Sequence, residues 1–225
     1  DLKHGNGVFS FEDGGEYAGE YKLGKEDGLG KRTFSNGDVY DGAWVEGKYH
    51  GYGSLTNSDG SNYIGDWKLG KFDGRGTFTW ADGEKYEGQY LNGKQHGSGK
   101  HSFDDLIIEG QFAYGDPSGN VTFFQEDGGK ISGIFDPSNF FIIGTMTYPN
   151  GYNFVGSFLD GTGKLIEPRD DGFYFGSTKN FEPDGIAAVL HGDGRKYFGK
   201  WVNNKKMGNG FSIEKSGKIT FCGVD

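Results

Sequence analysis

Apolar and polar residues alternate along most of the chain. In the segment YEGQY, Tyr86, Gly88 and Tyr90 take one side and Glu87 and Gln89 the other; in GRGTFTW, Gly74, Gly76, Phe78 and Trp80 oppose Arg75, Thr77 and Thr79. A period of two sends successive side chains to opposite faces of an extended backbone, so these segments predict β-strands. The pattern itself recurs every 23 residues. Tyr17, Tyr40, Tyr63 and Tyr86 each open an aromatic-x-Gly-x-aromatic unit (YAGEY, YDGAW, YIGDW, YEGQY); looser copies start at Ile108, Ile131, Phe154 and Tyr197, with a distorted one around Gly176. Self-similarity at a fixed period is the signature of a repeat architecture.

Each repeat carries three more marks. Five residues after the central glycine stands a second (Gly24, Gly47, Gly70, Gly93, Gly115, Gly161), followed in the first four copies by lysine; Asn204 fills that slot in the last clear copy. Glycine and asparagine are the residues that best tolerate positive φ, so this is a turn. A Gly-x-Gly follows, as at Gly51/Gly53 and Gly74/Gly76, and then an Asn-Gly or Asp-Gly pair ending at Gly14, Gly37, Gly60 and Gly83, a strong hairpin signal. One repeat is therefore one hairpin. The chain is predicted to be all-β, a single-layer antiparallel meander of about nine to ten stacked β-hairpins over residues 1–225, elongated because each hairpin adds about 10 Å. Residues 1–103 hold regular repeats, 104–192 degenerate ones, and 193–225 a basic end.

Composition explains how such a layer holds together. The 225 residues include 44 Gly, yet also 20 Phe, 13 Tyr and 4 Trp, far too many aromatics for a disordered chain. Glycine inside a strand ordinarily weakens it, but a bare backbone is also a platform on which a neighbouring ring can lie. The glycines and rings are expected to pack hairpin on hairpin. A net charge of −9 speaks against nucleic acid as a partner, and the single Cys222 leaves no internal disulfide and fits a reducing, cytoplasmic setting. No apolar run is long enough for a membrane helix. The chain begins and ends in mid-pattern and reads as a fragment of a longer one.

The stretches YEGQYLNGKQHGSG and YIGDWKLGKFDGRGTFTWADG resemble MORN repeats (membrane occupation and recognition nexus), and the resemblance extends along essentially the whole chain. It implies stacked hairpins, often curved into a groove, and a non-catalytic scaffold in a cytoskeletal, ciliary or membrane-associated assembly. Residues 104–192 depart from it: Asp104, Asp105 and Leu106 replace the Asn/Asp-Gly turn, and Pro117, Ser118 and Gly119 replace a Gly-x-Gly.

Several clusters are candidate sites. Tyr21, Trp44, Trp67, Tyr90, Phe112, Phe135, Phe158 and Trp201 form a row at one repeat position, read both as core and as an aromatic groove for a helical or extended partner segment. Phe140, Phe141, Ile142 and Ile143 are four consecutive apolar residues that alternation cannot bury on one face, marking a cap, a self-association surface or a second interaction patch. Arg195, Lys196, Lys200, Lys205 and Lys206 lie in a basic stretch; the two readings are an edge protected from pairing and a patch for anionic phospholipid or an acidic partner, attached in the longer chain to an enzyme. Exposed terminal strands invite homodimerisation. His4, His50 and His96 share a repeat position with Asp27 and Asp73, but equivalent positions in neighbouring hairpins are about 10 Å apart, too far to share a metal. GSGK at 97–100 lacks the glycine and the Ser/Thr of a phosphate loop, since Lys94 and His101 stand there. No catalytic residue, metal or cofactor is expected.

Overall fold

The computed structural model describes residues 2–103, 105–136, 140–158, 161–216 and 218–222; at 140–142, 208–211, 219, 221 and 222 the description is of the backbone alone. Among the described residues every regular element is a β-strand, in agreement with the all-β expectation. The chain divides into two compact units, Asp1–Pro117 and Ser118–Asp225, with the boundary inside the stretch where the repeat weakens.

The first unit contains β1 (Gly5–Ser10), β2 (Glu16–Lys22), β3 (Lys25–Thr33), β4 (Val39–Val45), β5 (Lys48–Thr56), β6 (Asn62–Lys68), β7 (Lys71–Thr79), β8 (Lys85–Leu91), β9 (Lys94–Ser102) and β10 (Leu106–Ala113). Each strand pairs antiparallel with the next. The second unit contains β11 (Asp116–Gln125), which begins just before the boundary, then β12 (Lys130–Asp136), β13 (Phe140–Thr147), β14 (Asn153–Ser157), β15 (Gly163–Arg169), β16 (Gly172–Lys179), β17 (Glu182–His191), β18 (Lys196–Val202), β19 (Lys205–Ile213) and β20 (Ile219–Cys222). These too pair in sequence order. Each unit is thus a meander of hairpins, as the turn signals predict.

The register reveals why glycine recurs. Gly7, Gly19, Gly30, Gly42, Gly53, Gly65, Gly76, Gly88, Gly99 and Gly110 oppose one another in succession, a glycine seam running across all ten strands of the first unit. The repeat tyrosine lies on this seam. A Cβ placed on Gly76 would fall inside the ring of Tyr63, and one on Gly53 inside that of Tyr40. In the second unit the seam runs through Gly133, Gly144, Gly156 and Gly163. It then steps sideways, because Gly163 faces Thr178 while Gly176 faces Leu165; beyond the step it continues through Gly176, Ala187, Gly199 and Gly210. That step is the structural form of the irregular spacing around Gly176.

Next to the seam the register shifts, between Gly19 and Tyr21, Gly42 and Trp44, and Gly65 and Trp67, where the partner strand carries extra residues. The first glycine of each Gly-x-Gly sits in this bulge; Gly74 has a φ of 116°, open to glycine and strained for other residues. The bulge frees a carbonyl, and the repeat tyrosine satisfies it: the hydroxyls of Tyr17, Tyr40 and Tyr63 donate to the carbonyls of Glu20, Ala43 and Asp66 at 3.0, 2.9 and 2.9 Å. At the other end of each hairpin, pairs such as Leu69 and Gly70 (φ 50° and 86°) form tight turns of the mirror-image kind that suit twisted hairpins. The turn amides also link hairpin to hairpin, since Gly47, Gly70 and Gly93 donate to the carbonyls of Glu26, Tyr49 and Phe72 at 2.8 Å.

The seam and the turns make separable demands on glycine. At Gly76 the backbone is ordinary but the space belongs to Tyr63, whereas at Gly83 the space is open and φ is 95°. Gly76→Ala is expected to lower unfolding stability in urea by about 1–3 kcal/mol through overpacking, and Gly83→Ala by about 1 kcal/mol through backbone strain. Equal or reversed effects would show that the ring contact does not govern the seam.

Candidate functional site

The two faces of the sheet differ in kind. On one, the repeat aromatics cover the seam. Tyr17, Tyr40, Tyr63 and Tyr86 are fully buried. Each meets its neighbours edge to face, as Tyr40 does with Trp44 at 5.0 Å and Trp67 at 5.4 Å, and Tyr49 and Phe72 stack flat on Tyr40 and Tyr63 at 3.8 Å. The indoles of Trp44 and Trp67 donate to the seam carbonyls of Gly30 and Gly53 at 2.9 and 3.1 Å. In the second unit Phe154, Leu165, Tyr174, Ala187, Val189, Tyr197 and Trp201 form the corresponding core.

The row predicted both as core and as groove is placed mostly in the core. Tyr21, Trp44, Trp67, Tyr90, Phe112 and Trp201 retain no more than 6% exposure, while Phe135 and Phe158 are half-buried. Rings with their faces packed on other rings offer a partner little new area. Tyr49 and Phe72, absent from the predicted row, belong to this core, and their spacing of one repeat is the signal that identifies them.

The five basic residues do not share one surface. Arg195 is paired with Asp193 at 2.6 Å, and the Lys206 ammonium lies over the ring of Tyr197, 4.5 Å from its centre, on the aromatic side. Lys196 and Lys200 project from the opposite side, flanking Phe198, because their strand positions alternate with the buried Tyr197 and Trp201. Of the apolar run at 140–143, the side chains of Phe140, Phe141 and Ile142 lie outside the described residues, and Ile143 is 51% exposed. The side chain of Cys222 also lies outside them. At the repeat position shared with the histidines, Asp27 and Asp73 accept from the turn amides of Glu46 and Asn92 at 3.2 and 3.1 Å. Among the described residues no group of three or more His, Cys, Asp or Glu side chains is placed to hold a metal ion, and no helix is long and apolar enough to cross a membrane.

The opposite face is the one without internal cover. In the first unit, the row beside the seam from β4 to β10 reads Asp41, Ser54, Ile64, Thr77, Glu87, Lys100 and Glu109. It is largely polar and partly self-paired, as in Lys100–Glu109 at 3.1 Å, with Leu29 (67% exposed) and Tyr52 (66%) standing out beside it. Other carboxylates and amides of this face are tied to the bulge: Glu20, Asp66 and Gln89 accept from the amides of Leu29, Arg75 and Ser98 at 2.8–2.9 Å. In the second unit the row beside the seam reads Ser132, Thr145, Val155 and Lys164 up to the step; beyond the step it reads Phe175, Ala188 and Phe198, with Ile166 paired to Phe175. Sequence reasoning missed it, although FYF at 173–175 and IAAVL at 186–190 are segments whose two faces are both apolar.

Hairpins with a 23-residue period, each laying an aromatic on a glycine seam, define a class of β-repeat proteins with nearest-neighbour cores. The chain belongs to the MORN-repeat family: the MORN repeat model matches residues 1–16, 17–39, 40–62, 63–85, 86–105 and 197–213, together just over half of the sequence. The model does not match residues 106–196 or 214–225. No curated protein matches the chain significantly. Among solved structures, the chain is similar to the TCP10 domain of Danio rerio CPAP in complex with a STIL peptide (17% identity, TM-score 0.39, covering 97% of this chain and 94% of that one). It is also similar to the TCP domain of Drosophila melanogaster SAS-4 (dCPAP) in complex with a proline-rich motif of Ana2 (15% identity, TM-score 0.35, covering 77% and 90%). At these levels neither complex assigns a residue or a partner to this chain.

The buried tyrosines make the fold sensitive to alkali. Burial pushes the hydroxyls of Tyr17, Tyr86 and Tyr174 up to about 12, and those of Tyr40 and Tyr63 also well above the ordinary range. Unfolded tyrosines ionise first, near 10, so this stabilisation is complete below pH 10 and is lost as pH rises from 10 through 12. The urea midpoint is expected to fall over that interval, and Tyr63→Phe to make the fall shallower. A midpoint flat to pH 12 would contradict the buried, neutral hydroxyls.

Proposed function

We propose that this chain is a non-catalytic scaffold that docks a segment of a partner protein against its sheet, within a cytoplasmic assembly of cytoskeletal, ciliary or membrane-associated type. The observation that carries the reading is the inequality of the two faces. The aromatic side is packed internally, ring on ring, with the hydroxyls of the repeat tyrosines on backbone carbonyls. The opposite side keeps large apolar residues in water, Leu29, Tyr52 and Ile186 each about two-thirds exposed or more. Exposed apolar area on a preformed sheet is a marker of partner sites, and a rigid sheet loses little conformational freedom on binding. Membership in the MORN-repeat family supports the same class of role. In support of a non-catalytic role, Asp27, Asp66 and Asp73 serve as acceptors for backbone amides.

Affinity capture from native cell extract tests the reading, with the wild-type chain compared with Tyr52→Asp, Ile64→Asp and Ile186→Asp, each checked for unchanged urea stability. The expected outcome is a specifically retained protein whose yield drops at least tenfold in one of the three. Retention of nothing above the control, or retention equal in all four proteins, would overturn it.

A further inference from the structure

The open face of β15–β18 differs from the corresponding face of the first unit. Its central row, Ile166, Phe175, Ala188 and Phe198, consists of directly paired residues on four neighbouring strands. Phe173 and Leu190 widen it on one side and Ile186 on the other, at 39%, 38% and 71% exposure. Within the row, Ile166 and Phe175 are 38% and 39% exposed. Its charges are of one sign: Lys164 and Lys200 lie on one flank of the apolar row and Lys196 on the other. Lys196 and Lys200 make no ion pair among the described residues, and Lys164 donates only to the neutral Ser177 Oγ at 2.7 Å. The nearest acids are engaged elsewhere, Asp171 with His191 at 2.6 Å and Asp184 with the amide of Asn203 at 3.5 Å, while Glu167 pairs with Arg169 at 2.8 Å on the aromatic side. The equivalent row of the first unit carries both signs of charge, partly paired with each other.

We propose that this face binds an amphipathic helix of a partner protein whose apolar stripe is bordered by acidic residues. The proposal rests on the scaffold reading and names the surface and the partner chemistry. Charge complementarity sets the acidic borders, since three lysines around an apolar strip without a carboxylate favour carboxylates on both edges of the ligand. The helical form follows from backbone chemistry. A peptide extended over the face of a sheet, rather than along its edge, would leave its amides and carbonyls unpaired against an apolar surface, whereas a helix satisfies its own. Three strand spacings of about 4.8 Å make the row about 14 Å long, the length of about ten helical residues with anchors at i, i+3, i+4 and i+7.

The test uses the full chain and a fluorescein-labelled helical peptide of about 14 residues, with leucines at that spacing and glutamates on both borders. It is compared with a lysine-bordered peptide, a scrambled one, and vesicles of phosphatidylcholine with and without phosphatidylserine. Saturable binding of the acidic peptide is expected, weakened at least tenfold by Ile186→Asp and by the pair Lys196→Glu and Lys200→Glu, and unchanged by Leu29→Asp in the first unit. Ile186 and both lysines are exposed, and urea stability of each variant is measured alongside. Equal binding of the lysine-bordered peptide, indifference to both variants, or binding of anionic vesicles alone would overturn the proposal. So would a dimer in sedimentation velocity that Ile186→Asp dissolves, because the occupant would then be a second copy. If extract capture persists undiminished in Ile186→Asp and in the lysine pair, this site falls while the scaffold reading stands; if wild type captures nothing, the scaffold reading falls as well.

Discussion

A tyrosine ring lying on a bare glycine seam is the contact on which the rest of this structure depends. It settles three problems of a one-layer sheet together. The ring replaces the second layer that would otherwise bury the strand, its hydroxyl satisfies the carbonyl released by the bulge, and it meets edge to face the indole or phenol of the next hairpin. Each of these needs a position without a side chain, so the glycines cannot be exchanged for alanine without moving the ring. Because every contact reaches only to the adjacent hairpin, the core grows by addition, and a local irregularity remains local.

That tolerance is visible in the second unit. Between β15 and β16 the seam steps sideways, yet the core reforms beyond it from Tyr174, Val189, Tyr197 and Trp201. Beside the step, the open face exchanges the mixed charges of the first unit for Ile166, Phe173, Phe175 and Phe198. Solubility does not select such residues on an uncovered strand face.

Much of this was legible in the residues. The 23-residue period, the alternation and the Asn/Asp-Gly pairs identify hairpins and their order, because turn chemistry and period-two burial are local. The row from Tyr21 to Trp201 was legible as a row, but its packing was not: a list of rings at one position does not say that Tyr49 and Phe72 stack flat on the repeat tyrosines. The basic stretch was likewise legible as a count. Its division came from strand alternation, which sends Lys196 and Lys200 to one face and Lys206 to the ring of Tyr197 on the other.

By itself, then, the sequence determined the fold class, the repeat unit and the family, since each is written in periodic local preferences. Only the tertiary structure decided which face is core and which is free. That outcome depends on register, on which glycine meets which across the ladder and where the bulges fall, and register is a relation between strands that no single segment contains.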